Sequence, residues 1–319
     1  MCGFLLKHMY GTQAAADGWQ QEYAGFMIEL GFQQGAASPC VFVHHERNIM
    51  TSVRGDDFTS CGAKRQLDWF EDSLEGRYEL KRGGRLGPGK GDAREISILN
   101  RILRWTETGL EYEADPRQCE RLLEGLQLDD SCNGAATPGI KPLPAQIDLE
   151  QPLLPDKQSE FRGLAARSNY VSADRVDIQY ASKECCRFMS APGVLAESAL
   201  KRLGCYVLKH QRMVYCFPWQ TATHIDVHSD TDWAGCPRTR KSTSGGAIMI
   251  GSHCLRTYSS TQSTVSLSSG EAEYYGLVKG AAAGLGHQAI MSDYGVDLPV
   301  RLWTDSSAAL GISKRSGLG

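Results

Sequence analysis

Apolar residues recur at helical spacing in some parts of the chain and form short strand-like runs in others. The stretch from Gly18 to Leu30 carries apolar side chains three and four positions apart, which predicts a helix ending at Gly31. Short runs bounded by turn residues predict strands over 40–43, 49–53, 58–60, 78–81, 96–105 and 110–112. The pattern over 67–74 predicts a helix, and Pro116 in a first turn predicts another that runs to about Leu126.

The pattern changes in the second half of the chain. Five of the twelve prolines fall between residues 137 and 156, in a stretch without a sustained apolar period, which predicts a linker. Amphipathic stretches then predict helices over 161–170, 178–189 and 196–208. Beyond His224 we expect strands over 225–230, 246–250 and 255–258, a long helix over 270–287, a strand over 300–304, and a helix capped by Ser306 and Ser307.

Composition and charge narrow the class of protein. The chain is 41% apolar and 22% charged, which is typical of a globular protein and excludes collagen-like and rod-like chains. The net charge of −3 gives no global positive field, so a polyanion would have to be held by a local patch. No stretch reaches the roughly 18 uncharged apolar residues of a membrane span, and the opening Met1–His8 is too short for a signal peptide. We therefore expect an intracellular protein of the cytoplasm or nucleus with no membrane partner.

The cysteines predict reduced thiols. The eleven cysteines contain no C-x-x-C pair, so neither a zinc site nor a redox dithiol is indicated. The adjacent Cys185 and Cys186 are interpreted as neighbours on a helix and not as a bridge.

Three acidic residues at the ends of predicted elements indicate a metal site. Asp230 ends the first strand beyond His224, Glu273 lies in the first turns of the long helix, and Asp305 follows the last strand. Carboxylates from two strand ends and one helix can converge on a pair of hard divalent cations, the arrangement that hydrolyses phosphodiesters. Mg²⁺ is the expected cofactor, with Mn²⁺ as the alternative. Taken singly, each of these residues is better explained as an ordinary solvated surface acid.

Helix geometry separates Glu273 from its neighbour Glu271. Two residues correspond to about 200° of rotation, so only one of the two side chains can face the metals. Ser268 and Glu271 form an S-x-x-E capping box, which gives Glu271 a structural role. Glu273 shares its face with Gly280 and Gly284, which would let the helix lie close on a sheet, and it is therefore the expected ligand.

Three further segments suggest weaker chemistry. Between the first two strands beyond His224, the loop with Arg238, Arg240 and Lys241 could hold phosphate backbone, although an ordinary solvated hairpin has the same composition. Asp56 and Asp57 lie at the tip of a predicted hairpin, where acidic pairs are common. The segment 84–91 fits G-x-x-x-x-G-K, but Gly91 replaces the Ser or Thr of a phosphate-binding loop and a strand follows, so a flexible hairpin loop is expected.

In order along the chain, these segments resemble the polymerase end of a copia-type retrotransposon Pol polyprotein, the back half of its reverse transcriptase followed by its ribonuclease H domain. The resemblance covers nearly the whole chain. Its most specific blocks are 230–236, 240–246, 268–274 and 304–308. Weaker blocks follow in the family's order over 9–12 with Trp19, 30–32, 38–42, 55–58, 112–117, 165–167, 177–181, 187–190 and 200–203.

The resemblance implies an α+β partial reverse-transcriptase palm with a helical thumb or connection, followed by an α/β ribonuclease H-like domain with a mixed sheet, truncated at both ends. The implied boundaries are a partial reverse transcriptase over 1–128, a Pro-rich linker over 129–160, a helical thumb or connection over 161–222, and a ribonuclease H-like domain lacking its last element over 223–319.

The same resemblance implies roles for single residues. Asp230, Glu273 and Asp305 would be ribonuclease H metal ligands, with Asp232 as a weaker alternative to Asp230. Asp56 would bind a polymerase magnesium, with Asp57 beside it. The implied partner is an RNA–DNA hybrid or another nucleic acid.

Departures from the family lower the expected activity. The family uses a polymerase aspartate well upstream of the hairpin and a last acidic nuclease ligand downstream, and this sequence contains neither. Gln13, Ala14, Arg54 and Val176 also depart from the family's pattern. We expect no polymerase activity and weak or absent nuclease activity. The alternatives are a noncatalytic remnant that binds nucleic acid without magnesium and an unexpressed relic, and the sequence leaves both open.

Overall fold

A computed structural model describes Met9 and residues 11–315 of the protein, apart from the side chain of Pro144. Met1–His8 (the stretch tested above for a signal peptide, with Cys2), Tyr10 of the first resemblance block, and residues 316–319 lie outside the described residues. The chain divides into two compact units. One comprises the described residues up to Gly83 together with Ala283–Val300, and the other comprises Gly84–Ala282 and the described residues from Arg301 onward.

The first unit packs one long helix on an antiparallel sheet. Its elements before Gly83 are α1 (Gln13–Glu29), β1 (Gln33–Gln34), β2 (Val41–His44), β3 (Ile49–Arg54), β4 (Asp57–Cys61) and α2 (Lys64–Glu75). The strands pair in the order β1-β2-β3-β4. Tyr23 and Met27, one helical turn apart on α1, are buried against Phe42 and Ile49 of the sheet. Burial of large apolar side chains on both surfaces holds this unit together.

One predicted strand of this unit is wrong. Residues 78–81 form no strand. The ring of Tyr78 packs edge-on against the rings of Trp19 and Phe26, with centroids 5.3 and 5.5 Å apart. Tyr78, which contributed to the strand prediction, instead packs on the side chains of α1.

The second unit contains most of the helices and two sheets. Its elements up to β8 are β5 (Glu95–Ile98), β6 (Arg101–Trp105), β7 (Gly109–Glu113), α3 (Pro116–Gly125), α4 (Pro144–Asp148), α5 (Pro155–Ser172), α6 (Val176–Cys186), α7 (Val194–Lys209) and β8 (Val214–Pro218). The remaining elements are β9 (Ile225–Asp232), β10 (Thr243–Ile250), β11 (His253–Thr261), α8 (Ser269–Asp293), β12 (Val300–Trp303) and α9 (Ser307–Ser313). The last residues of α8 and the first of β12 are counted with the first unit. The stretch predicted as a linker carries α4 and the start of α5.

The antiparallel sheet β5-β6-β7-β8 corrects two predictions. The single strand predicted over 96–105 is two strands joined at Leu99 and Asn100, which have positive φ angles of 49° and 66°. Two consecutive positive φ values give the tight turn that suits a hairpin. β8 was not predicted, and it completes the sheet by pairing with β7.

The second sheet of this unit has the order β11-β10-β9-β12, and β9, β10 and β11 pair antiparallel. Buried and exposed residues alternate along β9, with Ile225 and Val227 on the buried face. α8 packs on that face, as its residue Gly280 lies directly against the side chain of Val227. The other predicted helices and strands overlap observed elements, with ends that differ by a few residues.

Two further predictions concern cysteines and membranes. All ten cysteines within the described residues are free thiols, and Cys185 and Cys186 are neighbours at the end of α6. Among the described helices, none has both the length and the apolar character needed to span a bilayer.

Candidate metal centre

Strand alternation places Asp230 on the open face of its sheet. Along β9 the odd-numbered residues are buried, so His228 and Asp230 lie together on the opposite face. The Asp230 Oδ1 accepts a hydrogen bond from the backbone amide of Thr231 at 2.8 Å. This bond fixes the orientation of an otherwise exposed carboxylate.

The start of α8 shows Glu271 in the predicted capping role. The Ser268 Oγ accepts a hydrogen bond from the Glu271 amide at 3.1 Å, and the Glu271 Oε2 accepts one from the Leu267 amide at 2.8 Å. The side chain of Glu271 therefore reaches one residue further back than the Ser268 amide of a standard capping box. Glu273 projects from another side of the helix, toward β9 and the end of β12.

Asp305 lies where β12 gives way to the next helix. β12 ends at Trp303, and Ser306 caps α9 by accepting a hydrogen bond from the Ala309 amide at 3.1 Å. Asp305 is therefore held between a paired strand and a capped helix, and its side chain is exposed.

The three carboxylates converge although they are far apart in sequence. One ligand atom from each of Asp230, Glu273 and Asp305 lies within 4.8 Å of the other two. Burial raises the pKa of Glu273 above its ordinary value, and the negative charges of Asp230 and Asp305 raise it further. The Glu273 Oε2 is buried and makes no hydrogen bond among the described residues.

This arrangement fits a divalent cation. Like charges at this separation repel one another, and a buried carboxylate oxygen without a donor is costly. A cation such as Mg²⁺ removes both penalties, since it prefers several carboxylate oxygens. The donor set is entirely oxygen, so it suits Mg²⁺ or Mn²⁺ better than a metal that prefers nitrogen or sulfur.

Two glycines allow the helix that carries Glu273 to approach the sheet. A Cβ atom on Gly276 would lie 2.6 Å from the Thr231 Oγ1, and one on Gly280 would lie 3.2 Å from the Val227 Cγ1. The small-residue contact predicted at Gly280 is confirmed, and Gly276 is a closer one that the sequence analysis did not identify. This close approach brings Glu273 to the same edge of the sheet as Asp230.

Asp232, the weaker alternative to Asp230, has another contact. Its Oδ2 lies 2.9 Å from the Lys141 Nζ, and both side chains are exposed. It is not a member of the group formed by Asp230, Glu273 and Asp305.

The basic side chains of the loop between β9 and β10 differ in their surroundings. Arg238 forms an ion pair with Glu150, and its guanidinium lies 4.9 Å from the centre of the Phe188 ring. Arg240 is exposed with a positive φ of 56°. Neither Arg240 nor Lys241 forms an ion pair with another part of the described chain.

The same loop carries a thiol with an unusual environment. The Cys236 Sγ is buried and accepts hydrogen bonds from the Arg187 Nη2 at 2.9 Å and the Thr239 amide at 3.4 Å. Burial alone would raise the pKa of this thiol, but these hydrogen bonds outweigh burial and lower the pKa to about 7.

Asp56 and Asp57 lie in the first unit, at the turn between β3 and β4. Both are exposed, and Gly55 before them adopts a positive φ of 62°. The indole of Trp19 donates a hydrogen bond to the Gly55 carbonyl at 3.0 Å and holds the turn against α1. Within the described residues, neither aspartate belongs to a group of three acidic, Cys or His ligands.

The segment 84–91 forms no phosphate-binding loop. Leu86 and Ala93 make an isolated bridge, the Asp92 Oδ2 accepts a hydrogen bond from the Gly89 amide at 2.8 Å, and the strand β5 follows. The bridge is parallel, so the predicted hairpin does not form, but a strand and not a helix follows the glycine-rich turn, as expected.

Two aromatic residues beside the carboxylates were missed. A cavity of about 580 Å³ next to Asp230 and Asp305 is lined by His228 and Trp303, with a floor of Gly245, Gly246 and Ala247. His228 precedes Asp230 by two residues on β9, and Trp303 precedes Asp305 by two, so strand alternation could have identified His228. Trp303 gave no comparable signal, because an apolar residue in a strand usually faces a core.

The chain was compared with known proteins. No family model matches it. It is 30% identical over 181 residues to an uncharacterized mitochondrial protein of Arabidopsis thaliana, a match that covers 54% of this chain and 70% of that protein. It is 26% identical over 275 residues to the retrovirus-related Pol polyprotein from transposon RE1 of Arabidopsis thaliana, covering 85% of this chain and 18% of the polyprotein.

A third relative aligns along almost the whole chain. The retrovirus-related Pol polyprotein from transposon TNT 1-94 of Nicotiana tabacum is 24% identical over 327 residues, covering 98% of this chain and 24% of the polyprotein. The chain thus spans about a fifth to a quarter of the length of these polyproteins.

Proposed function

Since the chain belongs to the retrovirus-related Pol polyproteins of transposons, we propose that it carries a ribonuclease H-type site that cleaves RNA in RNA–DNA hybrids with Mg²⁺ or Mn²⁺. Asp230, Glu273 and Asp305 are the proposed ligands. The observation that carries the proposal is the convergence of their ligand atoms within 4.8 Å from two strand ends and one helix. Independent surface acids have no physical reason to meet in this way, because their mutual repulsion opposes it.

The architecture proposed around this site is that of a copia-type reverse transcriptase and ribonuclease H. The sheet β11-β10-β9-β12 with α8 on one face supports a ribonuclease H-like domain over 223–319. The bundle of α5, α6 and α7 supports a helical thumb or connection over 161–222, and β1–β4 with α1 support a partial palm over 1–128. The stretch 129–160 is the proposed linker.

The side chains prepare the site for hydrolysis. Divalent cations at such a cluster supply Lewis-acid activation of the attacking water and of the scissile phosphate. Asp230 is oriented by the Thr231 amide, so it offers a fixed oxygen. Glu273, whose pKa is raised by burial and by its two acidic neighbours, holds a proton more readily than an ordinary glutamate, and as a metal ligand it would bind in its deprotonated form.

The number of carboxylates limits the expected rate. Three carboxylates carry a charge of about −3, which does not balance two divalent cations, so we propose that one cation is held weakly and that cleavage is slow. At the β3–β4 turn, Asp56 and Asp57 are the polymerase remnant. Because no third ligand lies near them within the described residues, we propose that this turn supports no nucleotide transfer.

The proposed nucleic-acid contact is the loop that contains Arg238, Arg240 and Lys241. Arg240 and Lys241 are available to phosphates, whereas Arg238 must first leave Glu150. Lys and Arg side chains that neutralise phosphates make binding depend steeply on salt.

Cleavage of a labelled RNA–DNA hybrid by the full chain with Mg²⁺ or Mn²⁺ tests the proposal. We expect slow cleavage by the wild-type protein and a loss of about 100-fold or more in Asp230→Asn and Glu273→Gln, because each removes a charged ligand. Glu271→Gln is the matched control, since Glu271 lies two residues from Glu273 and its carboxylate accepts a hydrogen bond from the Leu267 amide at the helix start. Asp232→Asn decides between the two aspartates of β9 and should retain cleavage.

Calorimetry of Mn²⁺ binding provides a second measurement that does not depend on turnover. The wild-type chain should bind the ion, and Asp230→Asn should bind it at least tenfold more weakly. Mn²⁺ binding equal in the wild type and Asp230→Asn would contradict the ligand assignment. Hybrid binding that needs no metal, falls steeply with salt and persists in Asp230→Asn, without any cleavage, would instead favour the noncatalytic remnant.

A further inference from the structure

The cavity beside the three carboxylates has an aromatic end as well as an acidic end. Its volume of about 580 Å³ is in the range of pockets that bind small organic groups, roughly 300–1,000 Å³. Asp230 and Asp305 line one part of it, and His228 and Trp303 line another. A single cavity therefore offers both a charged site and a flat apolar surface.

The aromatic surface is fixed in place before any ligand binds. The rings of Trp303 and His228 are nearly parallel, with an interplanar angle of 12° and centroids 6.1 Å apart. The Trp303 Nε1 donates a hydrogen bond to the Asp226 Oδ1 at 2.8 Å, and Asp226 also accepts two hydrogen bonds from Arg301. The indole is nevertheless 48% exposed. An immobilised and exposed ring loses little entropy on binding a ligand.

The floor of the cavity leaves room for a planar group. In the pairing of β9 with β10, Gly245 lies opposite Asp230 and Ala247 lies opposite His228. A Cβ atom on Gly245 would meet nothing closer than 3.9 Å. Because these residues are small, the space in front of Asp230 and His228 is not filled by the neighbouring strand.

Charge decides which chemical group suits the aromatic end. The carboxylate of Asp226 is paired with Arg301, whose guanidinium also lies 5.5 Å from the centre of the Trp303 ring, so the two opposite charges beside the ring balance one another. Asp230 and Asp305 have no ion-pair partner among the described residues, and they repel a phosphate unless a cation is bound. A neutral, flat group is therefore favoured at Trp303, and nucleobases stack on aromatic rings without regard to sequence.

We propose that Trp303, backed by His228, stacks an unpaired nucleobase of the substrate strand whose phosphodiester lies at the carboxylate end of the cavity. This inference rests on the proposed nuclease function and adds a preference for one kind of hybrid substrate. A base inside a continuous duplex is already stacked between its neighbours and would have to be extruded first. The site thus favours a hybrid with single-stranded RNA next to the cleaved bond over a continuous hybrid.

Binding of two labelled probes to the full chain with Mg²⁺ tests the inference, and an RNA strand of 2′-O-methyl nucleotides, which is not cleaved, keeps it a measurement of binding alone. One probe is a blunt RNA–DNA hybrid, and the other is the same hybrid with a single-stranded RNA extension. Fluorescence anisotropy should show tighter binding of the extended probe. Trp303→Leu should weaken that binding about five- to hundredfold and leave the blunt probe nearly unchanged, because one stacking contact is lost.

Two variants control this measurement. Trp303→Phe keeps an aromatic surface and should retain most of the preference for the extended probe, while intrinsic fluorescence quenching by the probe should fall because the indole is gone. Trp219→Leu changes another tryptophan of similar exposure that does not line the cavity, and it should bind both probes as the wild type does.

The outcomes separate this inference from the nuclease assignment. Equal binding of both probes by the wild type, or equal binding by wild type and Trp303→Leu, overturns the stacking site even if cleavage remains sensitive to Asp230→Asn. Absence of cleavage of the unmodified hybrid together with a Trp303-dependent preference for the extended probe supports the stacking site while the proposed catalysis fails.

Discussion

Glu271 and Glu273 have opposite roles because they project about 200° apart from one helix. The carboxylate of Glu271 accepts a hydrogen bond from a backbone amide at the start of α8. A buried oxygen of Glu273 has no hydrogen-bond donor within the described residues, and its carboxylate lies near two other acidic side chains. The hydrogen bond of Glu271 stabilises the fold. The burial and repulsion at Glu273 destabilise the fold unless a cation is bound. Sites that bind or react commonly carry such locally unfavourable arrangements.

The sequence was sufficient to separate these two residues but not to find all of the site. The S-x-x-E pattern and helix geometry identified Glu271 as a cap and left Glu273 for the metal. Trp303 was not identified, because its exposure depends on β12 lying at the edge of its sheet. Strand order determines which strand lies at the edge, and the local sequence pattern of a strand does not indicate that order.

At the same scale, Cys236 should titrate near neutral pH. Burial raises its pKa, but hydrogen bonds from Thr239 and Arg187 outweigh burial and hold the pKa at about 7. The difference in ultraviolet absorbance between the wild type and Cys236→Ser should show one thiolate forming with a midpoint near pH 7. In Arg187→Gln that midpoint should move upward, because a charged donor is lost. The same difference taken between the wild type and Cys254→Ser should show no step near pH 7, since burial raises the pKa of Cys254.

The sign of the linked stability follows from the lowered pKa of Cys236. A thiol that is more acidic in the folded chain than in the unfolded chain stabilises the fold fully above its ordinary pKa of about 8.5, and this contribution is lost as the pH falls through about 7. The free energy of unfolding of the wild type should therefore rise between pH 7 and 8.5 relative to Cys236→Ser. A midpoint near 8.5 in the wild type would contradict the assigned hydrogen bonds.

At the scale of elements, α8 depends on where its glycines lie. In Gly276→Ala the new Cβ would lie 2.6 Å from the Thr231 Oγ1 and 3.1 Å from the Ser229 Oγ, on a buried strand that cannot move aside easily. We expect a loss of about 1–3 kcal/mol in the free energy of unfolding. Gly286→Ala on the same helix meets nothing within 4 Å and should gain about 0.5–1 kcal/mol from helix propensity. Urea denaturation of the two variants measures both changes, and equal effects would show that α8 does not pack closely on β9.

Element prediction succeeded where periodicity was strong and failed where a turn was hidden in an apolar run. The helices α2 and α7 and the strands β3 and β9 were found because their apolar residues follow the helical or strand period, and β2 was found as a short apolar run between turn residues. The run over 96–105 concealed a turn, because Leu99 is an unusual residue at a positive φ and only Asn100 signalled it. β8 was missed because its place depends on pairing with β7, which is about a hundred residues earlier in the chain.

For the whole molecule, charge balance decides how a polyanion can bind. With a net charge of −3 the chain exerts no general attraction on nucleic acid, so affinity must come from a few local cations. The ion pair between Arg238 and Glu150 removes one of these cations from the proposed phosphate-binding loop. Glu150 therefore competes with phosphate for the same guanidinium.

Glu150→Gln should strengthen hybrid binding and make it more sensitive to salt. Releasing Arg238 adds about one phosphate contact, which should increase the slope of log K against log salt by about 0.9. The same slope measured for Glu150→Gln with Arg238→Gln should return to the wild-type value. Glu160→Gln, which removes an acid that pairs with Lys157 on α5, is the matched control and should leave the slope unchanged. If Glu150→Gln weakened binding, Glu150 would be holding the loop in its binding conformation, and the proposed competition would be wrong.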